Sequence, residues 1–164
     1  MKRFFAVALL TLMACKSLGL HNGVFTKETT SYRVDAPGDG WNQVNFNDND
    51  LAWASVSSGD LLAMNATCDG HGDPPLEVLT THLLFGFSDR KNLSSEKQMI
   101  DGREALRSRV EAVLDGVPVD LELVVLKRNG CVHDFTHVSA RGALEKYHGL
   151  FEKLVAGFHQ EQPK

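Results

Sequence analysis

The chain has 164 residues, and a body of about 150 residues buries roughly 70% of its unfolded surface, enough for one domain with its own core. Its apolar (43%) and charged (23%) fractions are ordinary for a globular protein, which excludes disordered and fibrous classes. The formal net charge of −4 gives no reason to expect a nucleic-acid partner.

Residues 1–14 have the features of an export signal. Lys2 and Arg3 precede an apolar run, residues 4–12, that is too short to span a bilayer stably. The run ends in the letters LMAC, which resemble the lipobox of bacterial lipoproteins. The resemblance implies that Cys15 is diacylated and becomes the mature N-terminus. A secretory signal cut after Ala14 or Gly19, or an uncleaved anchor, are the alternatives.

Cleavage before Cys15 makes the mature chain more acidic. It removes two of the seventeen basic residues and none of the twenty-one acidic ones, which leaves a formal charge of −6. Fatty acyl chains such as palmitate on Cys15 would anchor the protein, because two or three chains hold a membrane stably where one does not. Lys16 rather than Asp follows Cys15, which favours the periplasmic face of the outer membrane by analogy with enteric sorting.

Export also sets the expected state of the two remaining cysteines. Cys68 and Cys131 form one pair in an oxidising compartment, and we expect a disulfide between them. Closing a loop of roughly 60 residues stabilises a fold by about 4 kcal/mol in the chain-entropy model. Two buried free thiols are the alternative.

The first half of the mature chain is predicted to form a tether followed by short strands. Residues 15–30 are polar and lack periodicity, which predicts a flexible tether, and residues 31–160 are expected to form one domain. Strands are predicted over 31–35 and 41–46, and a hairpin joins 51–56 to 61–66.

A loop over residues 68–75 leads into a predicted helix. Leu76, Leu79 and Leu83 recur at helical spacing, with Asp73 as the expected N-cap and Gly86 as the end. The charged residues 88–97 are predicted to form an exposed loop.

The second half predicts an antiparallel meander over residues 103–114, 117–127 and 131–139. Its turns are Asp115-Gly116 and Asn129-Gly130, pairs that favour type I′ hairpins because both residues tolerate positive φ. Residues 123–126 are apolar on both faces, which indicates a central strand. A final helix carries an apolar stripe at helical spacing: Leu144, Tyr147, Phe151, Leu154, Val155 and Phe158.

Four segments together resemble the PsbP-like α/β/α sandwich. They read APGDGW (36–41), DPPLEVL (73–79), CVHDFTHVSA (131–140) and LEKYHGLFEKLVAGF (144–158). The similarity covers residues 32–158 and implies an α+β fold, mainly an antiparallel sheet with helices packed on it. The family includes photosystem II PsbP, a Ran-binding nucleotide-release factor and bacterial lipoproteins, mostly non-enzymatic assembly or binding modules. Their metal- and partner-binding residues have no match in this chain.

One constellation predicts a metal site. Asp69, His71 and Asp73 alternate in a Gly-rich loop, and His133 and His137 share one side of a strand. A Cys68–Cys131 bridge would bring the loop beside that strand, and these ligand types suit zinc or copper. The alternative is a solvated turn and histidines that serve packing.

Weaker motifs favour ordinary structural roles. Ser94 and Lys97 satisfy an SxxK pattern without the further motifs of penicillin-binding enzymes, and residues 47–50 lack the Gly and Glu of a calcium loop. His82 and His148 lie on the two predicted helices among apolar neighbours and are expected to serve packing or to lie on the helix surface rather than to bind a ligand. We therefore expect a non-enzymatic binding or assembly partner of a larger envelope complex, without a cofactor. A metal-binding module that uses His71 and His133 is the alternative.

Overall fold

The computed structural model describes residues 20–27, 30–46 and 49–161, so the predicted signal and Cys15 lie outside the described residues. The described part contains ten strands and two helices. In chain order they are β1 (Val24–Lys27), β2 (Thr30–Arg33), β3 (Trp41–Val44), β4 (Leu51–Ser55), β5 (Leu61–Thr67), α1 (Leu76–Leu83), β6 (Phe87–Ile100), β7 (Arg103–Leu114), β8 (Val117–Arg128), β9 (Cys131–Ala140), α2 (Glu145–Ala156) and β10 (His159–Gln160).

Seven strands form one antiparallel sheet in the order β3-β4-β5-β9-β8-β7-β6. The predicted turns are confirmed: Asp115 and Gly116 have φ of 50° and 82°, and Asn129 and Gly130 have 51° and 77°. A third turn of the same kind, Asp101-Gly102, joins β6 to β7 with φ of 47° and 73°. Three two-residue turns therefore set the register of the long meander β6–β9.

Helix α2 and a small sheet cover one face of the large sheet, here called the α2 face. Strands β1, β2 and β10 form this second sheet, and Tyr32 on β2 is fully buried in the main core. The α2 stripe is confirmed, since Phe151, Leu154 and Val155 are buried against this face. The remaining core residues include Phe25, Leu62, Met64, Val124, Leu126, Phe135 and Phe158.

Helix α1 packs on the opposite face, here called the α1 face. Its Leu76 and Leu79 contact Leu106 on β7 and Val125 on β8, and Leu83 joins a neighbouring cluster around Leu121 and Leu123. Residues 123–126 are fully buried, which confirms the predicted central strand. The sheet thus has a core on each side, as the α/β/α prediction requires.

The predicted tether over residues 15–30 is wrong for its last part. Val24–Lys27 forms β1 and pairs antiparallel with β2, with Phe25 opposite Tyr32. Phe25 is only 1% exposed, and its ring lies 5.2 Å from that of Tyr32. The domain therefore begins before residue 31, because one buried aromatic side chain anchors the strand.

The predicted loop over residues 88–97 is also wrong, since these residues lie within β6. This strand is an edge of the sheet and pairs only with β7 among the described strands. An edge strand that is exposed on both sides does not need alternating apolar residues. Its sequence therefore lacks the pattern that predicts a strand and resembles that of a loop. The predicted N-cap is corrected too: Pro75 occupies that position, and Asp73 bonds elsewhere.

Within the described ranges, no helix is both long and apolar enough to cross a membrane.

Candidate functional site

The disulfide predicted between Cys68 and Cys131 is present and ties the loop after β5 to the start of β9. The loop then crosses the α1 face to reach α1. The ammonium of Lys127 donates to the Asp73 carboxylate and to the Pro74 carbonyl, and His71 Nε2 lies 3.1 Å from the Gly130 oxygen. These contacts anchor the loop at both ends and position α1 on the sheet.

The predicted metal ligands are not brought together. His71 lies at the Gly130 turn, whereas His133 and His137 point into the α2 face and are fully buried. His133 packs against the rings of Tyr32 and Phe158, and burial lowers its pKa to about 4. His137 lies 3.1 Å from Asp60 Oδ1. Among the described residues the three histidines of the predicted site therefore do not form a ligand cluster, because His133 and His137 are buried in the core while His71 contacts the Gly130 turn.

Among the described residues, one other group has metal-ligand geometry: Glu122, His148 and Glu152. Arg107 contacts both carboxylates at 2.5 Å, and Arg109 lies 3.4 Å from Glu122. Burial alone would raise the pKa of Glu122, but hydrogen bonds from His148 and Arg107 outweigh it and hold that pKa below its usual range. The guanidinium groups of Arg107 and Arg109 already neutralise the two carboxylates of this cluster. We therefore interpret the cluster as an ion-pair network that holds α2 on the sheet.

A groove lies between α1 and strands β6 and β7 and is here called the α1–β6 groove. Helix α1 sits over β7 and β8, so the sheet continues beyond it to β6 and leaves a trough of about 340 Å³. Leu106, Ser108 and Val110 of β7 line the groove together with residues from both sides: Glu77, Thr80, Thr81, Leu84, Arg90, Asn92 and Ser95.

Small polar groups dominate the β6 side of the groove. Asn92 Nδ2 donates to Ser95 Oγ at 3.1 Å, and the Ser95 and Ser108 hydroxyls lie 3.0 Å apart. On the helix side, Thr80 and Thr81 donate to backbone carbonyls one turn earlier. These hydrogen bonds hold the small polar side chains of the groove in place.

A second opening of about 350 Å³ adjoins the first at Glu77. It is lined by three basic residues, Lys97, Arg103 and Lys127, and by the start of α1 and Glu104. Lys97 is paired with Glu104 at 2.9 Å. The two openings form one long, mixed polar and apolar surface beside the free edge of β6. That shape suits an extended chain better than a compact small molecule, which needs an enclosed pocket.

No protein-family model matches the sequence, and no curated protein is significantly similar to it. Solved structures do match. A cyanobacterial PsbP from Synechocystis sp. PCC 6803 has a TM-score of 0.57 at 12% identity, over 79% of this chain and 86% of that one. LpqN of Mycobacterium tuberculosis has a TM-score of 0.62 at 9% identity, over 82% and 87%. PA94 of Pseudomonas aeruginosa, of unknown function, has 0.57 at 15% identity, over 86% and 97%.

At such identities the likeness concerns the fold alone. In this chain the fold is an antiparallel sheet with α1 on one face and α2 on the other. The resemblance read from the sequence is confirmed: the chain has the PsbP-like α/β/α fold.

Proposed function

We propose that this protein is a lipid-anchored binding module of the cell envelope, and that it docks a protein partner in the α1–β6 groove. The observation that carries the proposal is the groove itself, a trough with a mixed polar and apolar lining beside the edge of β6 that no described strand pairs with. An exposed edge strand offers backbone N–H and C=O groups to an extended partner, and alternate side chains of that partner supply specificity.

The edge has a regular segment suited to such pairing. Register shifts interrupt β6 between Ser88 and Lys91 and between Asn92 and Ser94, but the pairing with β7 is continuous from Ser94 to Ile100. Interruptions of this kind limit non-specific aggregation at an edge. They leave about one strand length for a specific partner.

The envelope location rests on the sequence and on one structural neighbour. LpqN is described as involved in cell envelope biogenesis, and it shares this fold. The LMAC sequence ending at Cys15 supplies the expected acylation site, and anchoring at the periplasmic face of the outer membrane is the finer form of the proposal.

Site-specific photocrosslinking in intact envelopes tests the proposal. A photoreactive phenylalanine at Thr81, an exposed helix position that lines the groove, is expected to give one discrete protein adduct. The same group at Lys153, an exposed position of α2 on the other layer, is the matched control and gives none.

Two further variants sharpen this test. Asn92→Trp fills the groove from exposed β6 and removes most of the adduct formed at Thr81. Cys15→Ser prevents anchoring and removes the adduct without changing the groove. Equal labelling from Thr81 and Lys153, or an adduct indifferent to Asn92→Trp, would contradict docking in the groove.

A further inference from the structure

On the other side of α1, part of the same sheet face is covered by neither of the two described helices. This region, here called the open sheet face, carries Ala52 and Ala54 of β4, Leu61, Ala63 and Asn65 of β5, and Thr136 and Val138 of β9. Their pairing across the strands places them on one side. Leu61, Asn65, Thr136 and Val138 are half-buried, although they lie in the middle of the sheet. No described helix therefore shields them fully.

Apolar residues border the open sheet face. Val78 on α1 is 41% exposed and Phe85, two residues after the end of α1, is 71% exposed, and neither lines the α1–β6 groove. His82 stacks on Phe85 with ring centroids 5.3 Å apart. Ala52 and Ala63 at the centre are themselves 1% and 4% exposed, and their small side chains keep the sheet surface low between the half-buried residues around them. The surface is shaped for an apolar segment.

Asp134 lies at the border of this surface. On β9 it pairs with Val125, which is covered by α1, and with Asn65, which belongs to the open sheet face. Asp134 is only 7% exposed, and no described residue forms an ion pair or a hydrogen bond with its carboxylate. Lys127, on the same face of β8, is engaged by Asp73 and Pro74.

A buried carboxylate without a partner is costly in its charged form. Burial, followed by the negative charge of Asp50, raises the pKa of Asp134 to about 7. A cation that reached Asp134 would remove this cost, and the apolar surroundings would strengthen the attraction.

We propose that the open sheet face binds an apolar segment of a protein partner that carries one lysine or arginine, whose cation pairs with Asp134. This surface is separate from the α1–β6 groove, so either can fail without the other. Charge complementarity selects the occupant, because a purely apolar segment would leave Asp134 buried and unpaired.

Two peptides with one difference between them test the proposal on the purified domain. One is a leucine- and alanine-rich helix with a single central lysine, and its twin carries acetyl-lysine at that position. We expect the lysine peptide to bind wild type at least tenfold more tightly than the twin, a difference of about 1.4 kcal/mol. Carbon NMR of the Asp134 carboxyl should show its titration midpoint fall when the lysine peptide binds.

Variants of Asp134 and its cross-strand neighbour locate the effect. Asp134→Asn abolishes the difference between the twins, whereas Asp39→Asn, in an exposed turn, leaves it unchanged. Asn65→Lys places a cation directly opposite Asp134, lowers the carboxyl pKa and blocks the lysine peptide, while Asn65→Gln does not.

Three results would overturn the proposal. They are equal binding of the twin peptides to wild type, a preference for lysine that persists in Asp134→Asn, and shifts that map to Thr81 and Asn92 in the α1–β6 groove. Dimers with an interface at Ala63 and Thr136 would identify the occupant as a second copy, which also overturns it.

Discussion

Replacing both Cys68 and Cys131 with serine is expected to lower the free energy of unfolding by about 4 kcal/mol. The bridge closes a loop that spans 63 positions, so its loss restores the conformational freedom of the unfolded chain. It also frees the loop that positions α1, because the remaining ties are the contacts of Lys127 and His71. Chemical denaturation of the oxidised protein and of the double variant measures the difference.

The matched control for this prediction is reduction of the wild type. Reductant is expected to bring wild type to the stability of the Cys68→Ser, Cys131→Ser variant and to leave the variant unchanged. A variant as stable as oxidised wild type would contradict the stabilising role of the bridge.

Arg107→Ala is expected to destabilise the fold by about 3 kcal/mol, because the buried Glu122 carboxylate loses its shortest ion pair and keeps only Arg109 and His148. Glu122 has no exposed surface, and the side chain of Arg107 is 7% exposed. The guanidinium also lies 5.8 Å from the centre of the Phe151 ring, so the substitution removes packing against α2 as well. Thermal and urea unfolding give the change.

A double variant separates the charge effect from the packing effect. Arg107→Met with Glu122→Gln removes both charges, and we expect it to recover most of the stability that Arg107→Ala loses. Lys97→Ala breaks an exposed ion pair and serves as the control, with little change expected. If Arg107→Ala were as stable as Lys97→Ala, the network would have no structural role.

The sequence predicts the elements that carry strong local signals. Asp115-Gly116 and Asn129-Gly130 mark turns that few other residues can form, and they set the strands on either side. The α2 stripe combines helical spacing with large side chains, and Phe151 is fully buried as that pattern requires. Local sequence features, the turn pairs and the helical spacing, are thus sufficient to predict the meander and the final helix.

Elements with weak local signals depend on tertiary contacts. Strand β6 alternates neither in polarity nor in size, and it is held by its pairing with β7. Phe25 stands in a polar segment, and its burial follows from the distant Tyr32. The predicted metal ligands are separated for a related reason, since His71 contacts the Gly130 turn whereas His133 is fully buried among core side chains.

The two candidate surfaces could not be predicted from the sequence, because they too depend on tertiary contacts. Ser95 and Ser108 contact each other and line the groove only because β6 pairs with β7 beside α1. Asp134 shares a strand with apolar residues, which marks it as unusual, but its lack of a partner is a property of the folded chain. The sequence therefore predicts most of the strands and both helices, but it does not predict the two surfaces that these elements leave uncovered.

The most direct test of the central claim is the intact mass of the native protein extracted from membranes without reductant. If the protein is an exported, lipid-anchored binding module, its chain begins at acylated Cys15. Its mass is then lower than that of the reduced chain by two hydrogens, because of the Cys68–Cys131 bond. A cytosolic chain that still carries Met1 and has three free thiols would contradict it.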